Sequence, residues 1–266
     1  MSTERHSTRF ARGTAQLTEL GGDRAVAVAE RLRETAPDLG RYLVEFAYGE
    51  INSRPGLDLR QRQLVKLGAL TALGDTRTQL GFEIANSLHV GLTPAQVVEA
   101  LTHLELVVGF PRALNAVEAA RAVFAGLGVE AEPHEVAPGA EDERYARGSD
   151  VLREVAGDHG FAVIDALNDI APDLGKVIVE YAWGEVYPRP GLDYPQRQLV
   201  TLGAMIAYGD TFKQQKTHLN IALRQGLTPR QLVEVLLQAS PFVGFPRTLN
   251  SLAALREVFA DKDIRL

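Results

Sequence analysis

Apolar positions recur along this chain at helical spacing. After Pro37, residues Leu39, Tyr42, Leu43 and Phe46 fall at i, i+3, i+4 and i+7, one face of a 3.6-residue period, and Arg54-Pro55-Gly56 stops that helix. Asp58 caps a second helix carrying Leu64, Val65, Leu67 and Leu70, closed by Gly74. A third begins at Asp75 or Thr76 and ends at Gly91. Thr93-Pro94-Ala95-Gln96 combines a capping box with Pro at the first helical position and opens a fourth through Val97, Val98, Leu101 and Leu104. Gly109-Phe110-Pro111 turns into the last, ending near Phe124. The period-two alternation of strands is almost absent, so the expected fold is all-α.

The pattern then starts again. Shifted by 135 residues, RFARG (9–13) meets RYARG (144–148), and residues 36–124 match 171–259 at 48 of 89 positions without a gap. The helix signals recur at Asp193, Gly209, Gly226, Thr228 and Pro246. Two copies are a tandem duplication, since a solenoid needs three or more shorter units. The expected organisation is a first helical domain over 1–127, a linker rich in Pro and acidic residues over 128–143, and a second domain over 144–266. Five or six short helices per copy must bury their stripes, and two similar copies in one chain predict pseudo-two-fold packing of one on the other.

Composition narrows the chemistry. Apolar residues at 45% and charged residues at 23% are ordinary for a soluble globular protein. No apolar run has the length of a membrane span, and MSTERHSTRFARG lacks the apolar core of a secretory signal, so a cytoplasmic location is expected. A net charge of −6 with scattered Lys and Arg argues against nucleic acid. The chain has no cysteine, which removes disulfides, thiolate nucleophiles and thiolate metal sites together.

AWGEVYPRPGLD, QRQLVTLGAMIAYGD, a His eight residues before Gly226, LTPRQLVEVLLQ and VGFPRTLN make the second copy resemble the gamma-carboxymuconolactone decarboxylase family. The first copy resembles it too. The resemblance implies an alkylhydroperoxidase D-like helical scaffold in both halves, no cofactor, and a site among helices and between subunits or here between the two copies. It also implies a trimer of tandem chains in place of the family's hexamer of single domains. The peroxidase branch of that scaffold uses a CxxC pair and a His. The matching positions here are Thr76, Gln79 and Glu83 in the first copy and Thr211, Gln214 and His218 in the second, so thiol peroxidase chemistry has no sulfur to use. The family's Arg-Glu-Leu is Arg62-Gln63-Leu64 and Arg197-Gln198-Leu199, and the aromatic kept as Tyr187 is Asn52 in the first copy. Two unequal pockets are expected, the second nearer the family's set.

Cofactor-free decarboxylation needs a group to hold the carboxylate, a charge to stabilise the developing anion, and a proton for carbon. His218 is the expected proton donor, with Glu185 to orient it and Arg189 to clamp a carboxylate. Glu185 and Arg189 equally suit a salt bridge that locks the turn. Glu50 and Arg54 are their first-copy equivalents, facing Glu83, where two close carboxylates would repel. Trp183 and Tyr187 either wall a pocket or are core. Arg112 and Arg247, each at a helix start where cations are unfavourable, suggest anion binding or an intersubunit ion pair, and His103 is a weaker candidate. His6, His89, His134 and His159 have no ligand spacing, and no metal is expected. The expected function is a cofactor-independent decarboxylase of a small carboxylated lactone or β-keto-type acid. The alternatives are an isomerase, cyclase or lactone-opening enzyme on the same scaffold, or a non-catalytic helical binding protein.

Overall fold

The computed structural model describes residues 7–131, 135–136 and 139–266. His6, and within the linker residues 132–134 (His134 among them) and 137–138, lie outside the described residues. The first copy runs through α1 (Thr8–Thr35), α2 (Pro37–Tyr42), a π-helix π1 (Leu43–Asn52), α3 (Leu59–Leu73), α4 (Arg77–His89), α5 (Pro94–His103), α6 (Glu105–Val108) and α7 (Phe110–Leu127). The second runs through α8 (Arg144–Ala156), α9 (Asp158–Asp165), α10 (Pro172–Val177), π2 (Ile178–Val186), α11 (Tyr194–Tyr208), α12 (Phe212–Arg224), α13 (Pro229–Val243) and α14 (Phe245–Asp261). No strand occurs among the described residues, and the fold is all-α in both copies.

Local signals place these elements well. Asp58, Thr93, Asp193 and Thr228 each accept from the backbone N–H three residues on, and Gln61, Gln96, Gln196 and Gln231 return the bond. Such caps contribute about 1 kcal/mol apiece. Two features depart from the periodicity. The helix opened by Pro37 widens into π-helix after Tyr42, as does its counterpart after Val177. The long α1, capped by Ser7, is kinked at Gly21–Gly22, where Gly22 (φ 61°, ψ −156°) has the backbone that Gly157 (φ 63°, ψ −157°) takes between α8 and α9.

The copies meet along α3 and α11, the most extensive helix pair in the chain. A Cβ on Gly68 would strike the carbonyl oxygen of Val200, and one on Gly203 would strike that of Val65. The contact is reciprocal, as a two-fold interface requires, and it lets Leu64, Val65 and Leu67 share one apolar core with Leu199, Val200 and Leu202. The RFARG and RYARG repeats have the same explanation, for Gly13 and Gly148 abut the Val44 and Val179 carbonyls of π1 and π2.

Charge crosses the same interface. Glu234 of the second copy receives Arg54 at 2.8 Å and Arg62 at 3.4 Å, while Glu99 of the first receives Arg189 at 3.0 Å and Arg197 at 2.9 Å. Arg62 and Arg197 are fully buried and also donate to the Arg54 and Arg189 carbonyls at 2.6 Å. Each copy thus clamps the other's Arg-Pro-Gly turn.

Because the crossing has no room for a side chain, Gly68→Ala should cost roughly 1–3 kcal/mol, seen as a lowered urea midpoint. Gly126→Ala, where an added methyl meets nothing within 4 Å, should instead be neutral or gain about 0.5–1 kcal/mol.

Candidate active site

Two polar clusters flank the α3–α11 crossing at equivalent places. In the first copy Glu83 on α4 is buried and accepts from Gln63 at 3.0 Å, Asn86 at 3.2 Å and the Tyr48 hydroxyl at 3.5 Å, with Lys66 Nζ at 3.3 Å. Lys66 also lies 5.6 Å over the Tyr48 ring and 5.9 Å over that of Phe242, which the second copy contributes. Burial lowers the Lys66 pKa against the opposing pull of Glu83. It raises that of Tyr48 well above the usual phenol range, with Glu83 adding to the rise. The Lys66 ammonium is therefore a stronger acid than usual, and Tyr48 stays a phenol that donates.

Above this cluster opens a cavity of about 740 Å³. Glu83 and Tyr48 form part of its lining, α1 supplies Val28, Ala29 and Leu32, and Pro241 and Phe242 enter from the second copy. Its cations are Arg24 and Arg31. Arg24 donates to Asn86 at 2.5 Å and lies 5.2 Å from the Phe82 ring centroid, and burial lowers its pKa. Mostly apolar walls with a few convergent polar groups are the usual form of a small-molecule site.

In the second copy His218 Nδ1 lies 2.9 Å from Gln198 Oε1, and Gln198 Nε2 donates to the Tyr187 hydroxyl at 3.2 Å. Since Oε1 only accepts, this network assigns the hydrogen to Nδ1 and leaves Nε2 its lone pair. Trp183 stacks on Tyr187 with centroids 4.1 Å apart, and His103 from the first copy meets Tyr187 edge-on at 5.1 Å. His103 Nε2 is 3.0 Å from Thr201 Oγ1, and its Nδ1 has no partner. Desolvation pushes the His218 pKa down to about 4. Burial, then Arg197 and His218, push that of His103 well below the usual imidazole range. Burial raises the Tyr187 pKa to about 12.

The candidates drawn from the sequence thus separate into groups. Trp183, Tyr187, His103 and His218 come together, and Glu83 lines the cavity. Arg189 and Arg54 lie instead against Glu99 and Glu234. Glu185 is exposed and pairs with Arg144 at 2.6 Å, and Glu50 with Arg9 at 3.5 Å. The repulsion expected between first-copy carboxylates does not arise, because Glu50 faces Arg9 while Glu83 meets Lys66. His218, expected as the proton donor, has a pKa lowered by desolvation to about 4, so its packed surroundings hold it neutral at pH 7. Arg112 donates to Tyr208 at 2.9 Å, and Arg247 is exposed beside Gly209. Gln63 and Gln198, read as lost carboxylates, supply the amides that bind Glu83 and His218. The sequence reading passed over Lys66, Arg24, Asn86, Glu99 and Glu234. The available signal was a charge inside an apolar run, Lys66 in LVKLGAL and Glu99 in QVVEAL. Among the described residues no group of three or more His, Asp or Glu side chains is placed to hold a metal ion, and no helix is long and apolar enough to cross a membrane.

The lowered histidines fix a pH dependence. With a folded pKa near 4 and an unfolded value near 6.5, the native state binds fewer protons between those limits, so stability rises with pH across that window and is lost on acidification. In His218→Asn the loss between pH 6.5 and 4 should shrink, by on the order of 3 kcal/mol less a discount for the partly exposed ring. Urea titrations at a series of pH values check this, and an unchanged slope would refute it.

The profile of the carboxymuconolactone decarboxylase family matches residues 37–122 and again 172–257. Over 125 residues the chain is 34% identical to 4-carboxymuconolactone decarboxylase of Acinetobacter baylyi, covering 47% of this chain and 92% of that protein. Over 86 residues it is 33% identical to nitrosuccinic acid decarboxylase of Metarhizium robertsii, covering 32% of this chain and 59% of that enzyme. A 15.0 kDa uncharacterized protein of Paracoccus denitrificans is 30% identical over 99 residues, covering 37% of this chain and 74% of that protein. With both helical copies matched over more than half of its length, the chain belongs to the carboxymuconolactone decarboxylase family and carries that family's domain twice.

Proposed function

We propose that the chain is a cofactor-independent decarboxylase of a small to medium carboxylated acid, of lactone or β-keto type, and that the first copy's cavity is its reaction chamber. The observation that carries this is an apolar cavity lined by Glu83, Tyr48, Arg24 and Arg31, with the buried Lys66 3.3 Å from the Glu83 carboxylate. Decarboxylase-type function is supported by the family and by two relatives with decarboxylase names.

The groups divide the work by their chemistry. Arg24 and Arg31 draw the anionic substrate in and pair with a carboxylate. Apolar walls strip water from the carboxylate that leaves, which favours loss of neutral CO₂. The electron pair of the broken C–C bond passes into the conjugated carbonyl, whose oxygen takes a hydrogen bond from Tyr48. Lys66, made more acidic by burial, sends a proton through the Glu83 carboxylate to the carbanion carbon and is recharged from solvent. The sum is one proton consumed and one CO₂ released.

A second reading rests on the His218–Gln198–Tyr187 chain, in which a neutral imidazole with a free Nε2 acts as base. One comparison separates them. In CO₂-release assays over a panel of carboxylated lactones and β-keto acids, Glu83→Gln should lower kcat by roughly 10²–10⁴-fold, and His218→Ala by less than tenfold. Turnover that survives Glu83→Gln and fails in His218→Ala moves the reaction to the second copy, and turnover without CO₂ makes the enzyme an isomerase or lactone-opening enzyme.

The assembly proposed is a trimer. Exposed apolar residues recur at equivalent places in both copies, Phe110 and Leu114 in one and Phe245 and Leu249 in the other, each 57–64% exposed, and such matched patches need a partner. Light scattering should give three times the 29.0 kDa chain mass, and Leu114→Glu with Leu249→Glu should give the monomer.

A further inference from the structure

A second, smaller pocket lies on the far side of the first turn of α4. Its volume is about 170 Å³, and it is lined by Leu70, Thr71, Gly74, Thr76, Arg77, Leu80, Arg112, Asn115 and Ala116. No carboxylate is among these residues. The α4 N-terminus opens here without a side-chain cap on its first N–H groups, since the Thr76 hydroxyl donates instead to the Leu70 carbonyl at 2.8 Å. Independently of the helix end, Thr71 is 2% exposed and its hydroxyl has no hydrogen-bond partner. Arg77 forms no ion pair among the described residues, and Asn115 no side-chain hydrogen bond. Arg112 has one nitrogen on Tyr208 and no carboxylate partner.

The second copy shows that the scaffold does not need these groups. At the positions of Thr71 and Arg77 stand Ile206 and Phe212. Gln215, in place of Leu80, donates to the Met205 carbonyl at 3.0 Å and to Thr211 Oγ1 at 3.3 Å. Asn250, the twin of Asn115, donates to the Gly209 carbonyl at 3.2 Å. That copy closes Gln215 and Asn250 on backbone carbonyls, whereas the first keeps the Thr71 hydroxyl, the Asn115 amide, the Arg77 guanidinium and a helix N-terminus uncommitted around one small space, with Arg112 held there by Tyr208 alone. Donors and positive charge with no carboxylate among them are the recognition chemistry of an oxyanion.

We infer that this pocket binds a small oxyanion, a tetrahedral phosphate or sulfate or a short carboxylate, at a site separate from the reaction chamber. Thr76 and Arg77 face the small pocket while Thr78 and Gln79 line the large one. An anion held here therefore steadies the first turn of the helix that carries Glu83.

The test is calorimetric titration of the full chain with inorganic phosphate, sulfate, acetate and succinate at constant ionic strength. It is repeated on Thr71→Ile with Arg77→Phe, which installs the second copy's own residues and so preserves the fold. Saturable binding of at least one of these anions, weakened about tenfold or more in that variant and by less than threefold in Arg24→Gln, is the result expected. Phosphate or sulfate as the tighter arm identifies a tetrahedral ligand, and acetate or succinate a carboxylate. The inference is overturned if no anion saturates the wild-type chain, or if Thr71→Ile with Arg77→Phe leaves binding unchanged. It also fails if Arg24→Gln removes the binding, which would place the anion in the large cavity.

Discussion

Backbone against backbone at Gly68 and Gly203 is the contact on which the rest of the molecule depends. With a carbonyl where each Cβ would stand, α3 and α11 come close enough for Gln63 and Lys66 on one helix and Gln198 and Thr201 on the other to reach sites on both sides of the crossing. Each site is then finished by the opposite copy, the first by Phe242 and the second by His103. A wider crossing would leave two helical domains with neither site complete. Most apolar contacts tolerate volume-conserving exchange, but a place with no volume at all admits only glycine.

The clusters around Glu99 and Glu234 convert that proximity into a register. Burying a guanidinium and a carboxylate is offset only when every partner is present, and here each carboxylate holds two arginines of the other copy. Sliding one copy over the other by a helical turn would strand charges in a shared apolar core. That is why the arginines of the Arg-Pro-Gly turns, which look in sequence like ligands for a carboxylated substrate, find their carboxylates inside the protein.

Fusion of the copies freed the two sites to diverge, and the exchanges are compensated within each. Lys66 accompanies Glu83, and Thr201 accompanies His218. Either charge alone in that buried position would be costly, whereas the pair and the neutral set are each self-consistent. The sequence showed the duplication, the caps, the breaks and the helical class, because those depend on neighbours along the chain. It also showed that Glu83 and His218 occupy equivalent places. It could not show that Glu50 and Glu185 face outward to Arg9 and Arg144, or that Arg189 meets Glu99 ninety residues earlier, because those depend on how copies pack. Nor could periodicity distinguish the π-helices from α-helix, since the apolar spacing over so few residues is compatible with both.

The same reasoning explains why the larger cavity belongs to the first copy. Its lining from Leu17 to Leu32 comes from α1, ahead of the region that the family profile matches. Past its kink α1 continues as helix to Thr35, whereas in the second copy α9 stops at Asp165 and residues 166–170 form a turn. The scaffold shared by both copies sets the chemistry at the base, with one polar cluster beside each crossing helix. The divergent N-terminal helix sets the volume and brings Arg24 and Arg31. On the reading proposed above, selectivity rests on residues 17–32, where the copies share Leu17 with Leu152 and Gly22 with Gly157 but differ at Arg24 and Arg31, which stand opposite His159 and Ala166.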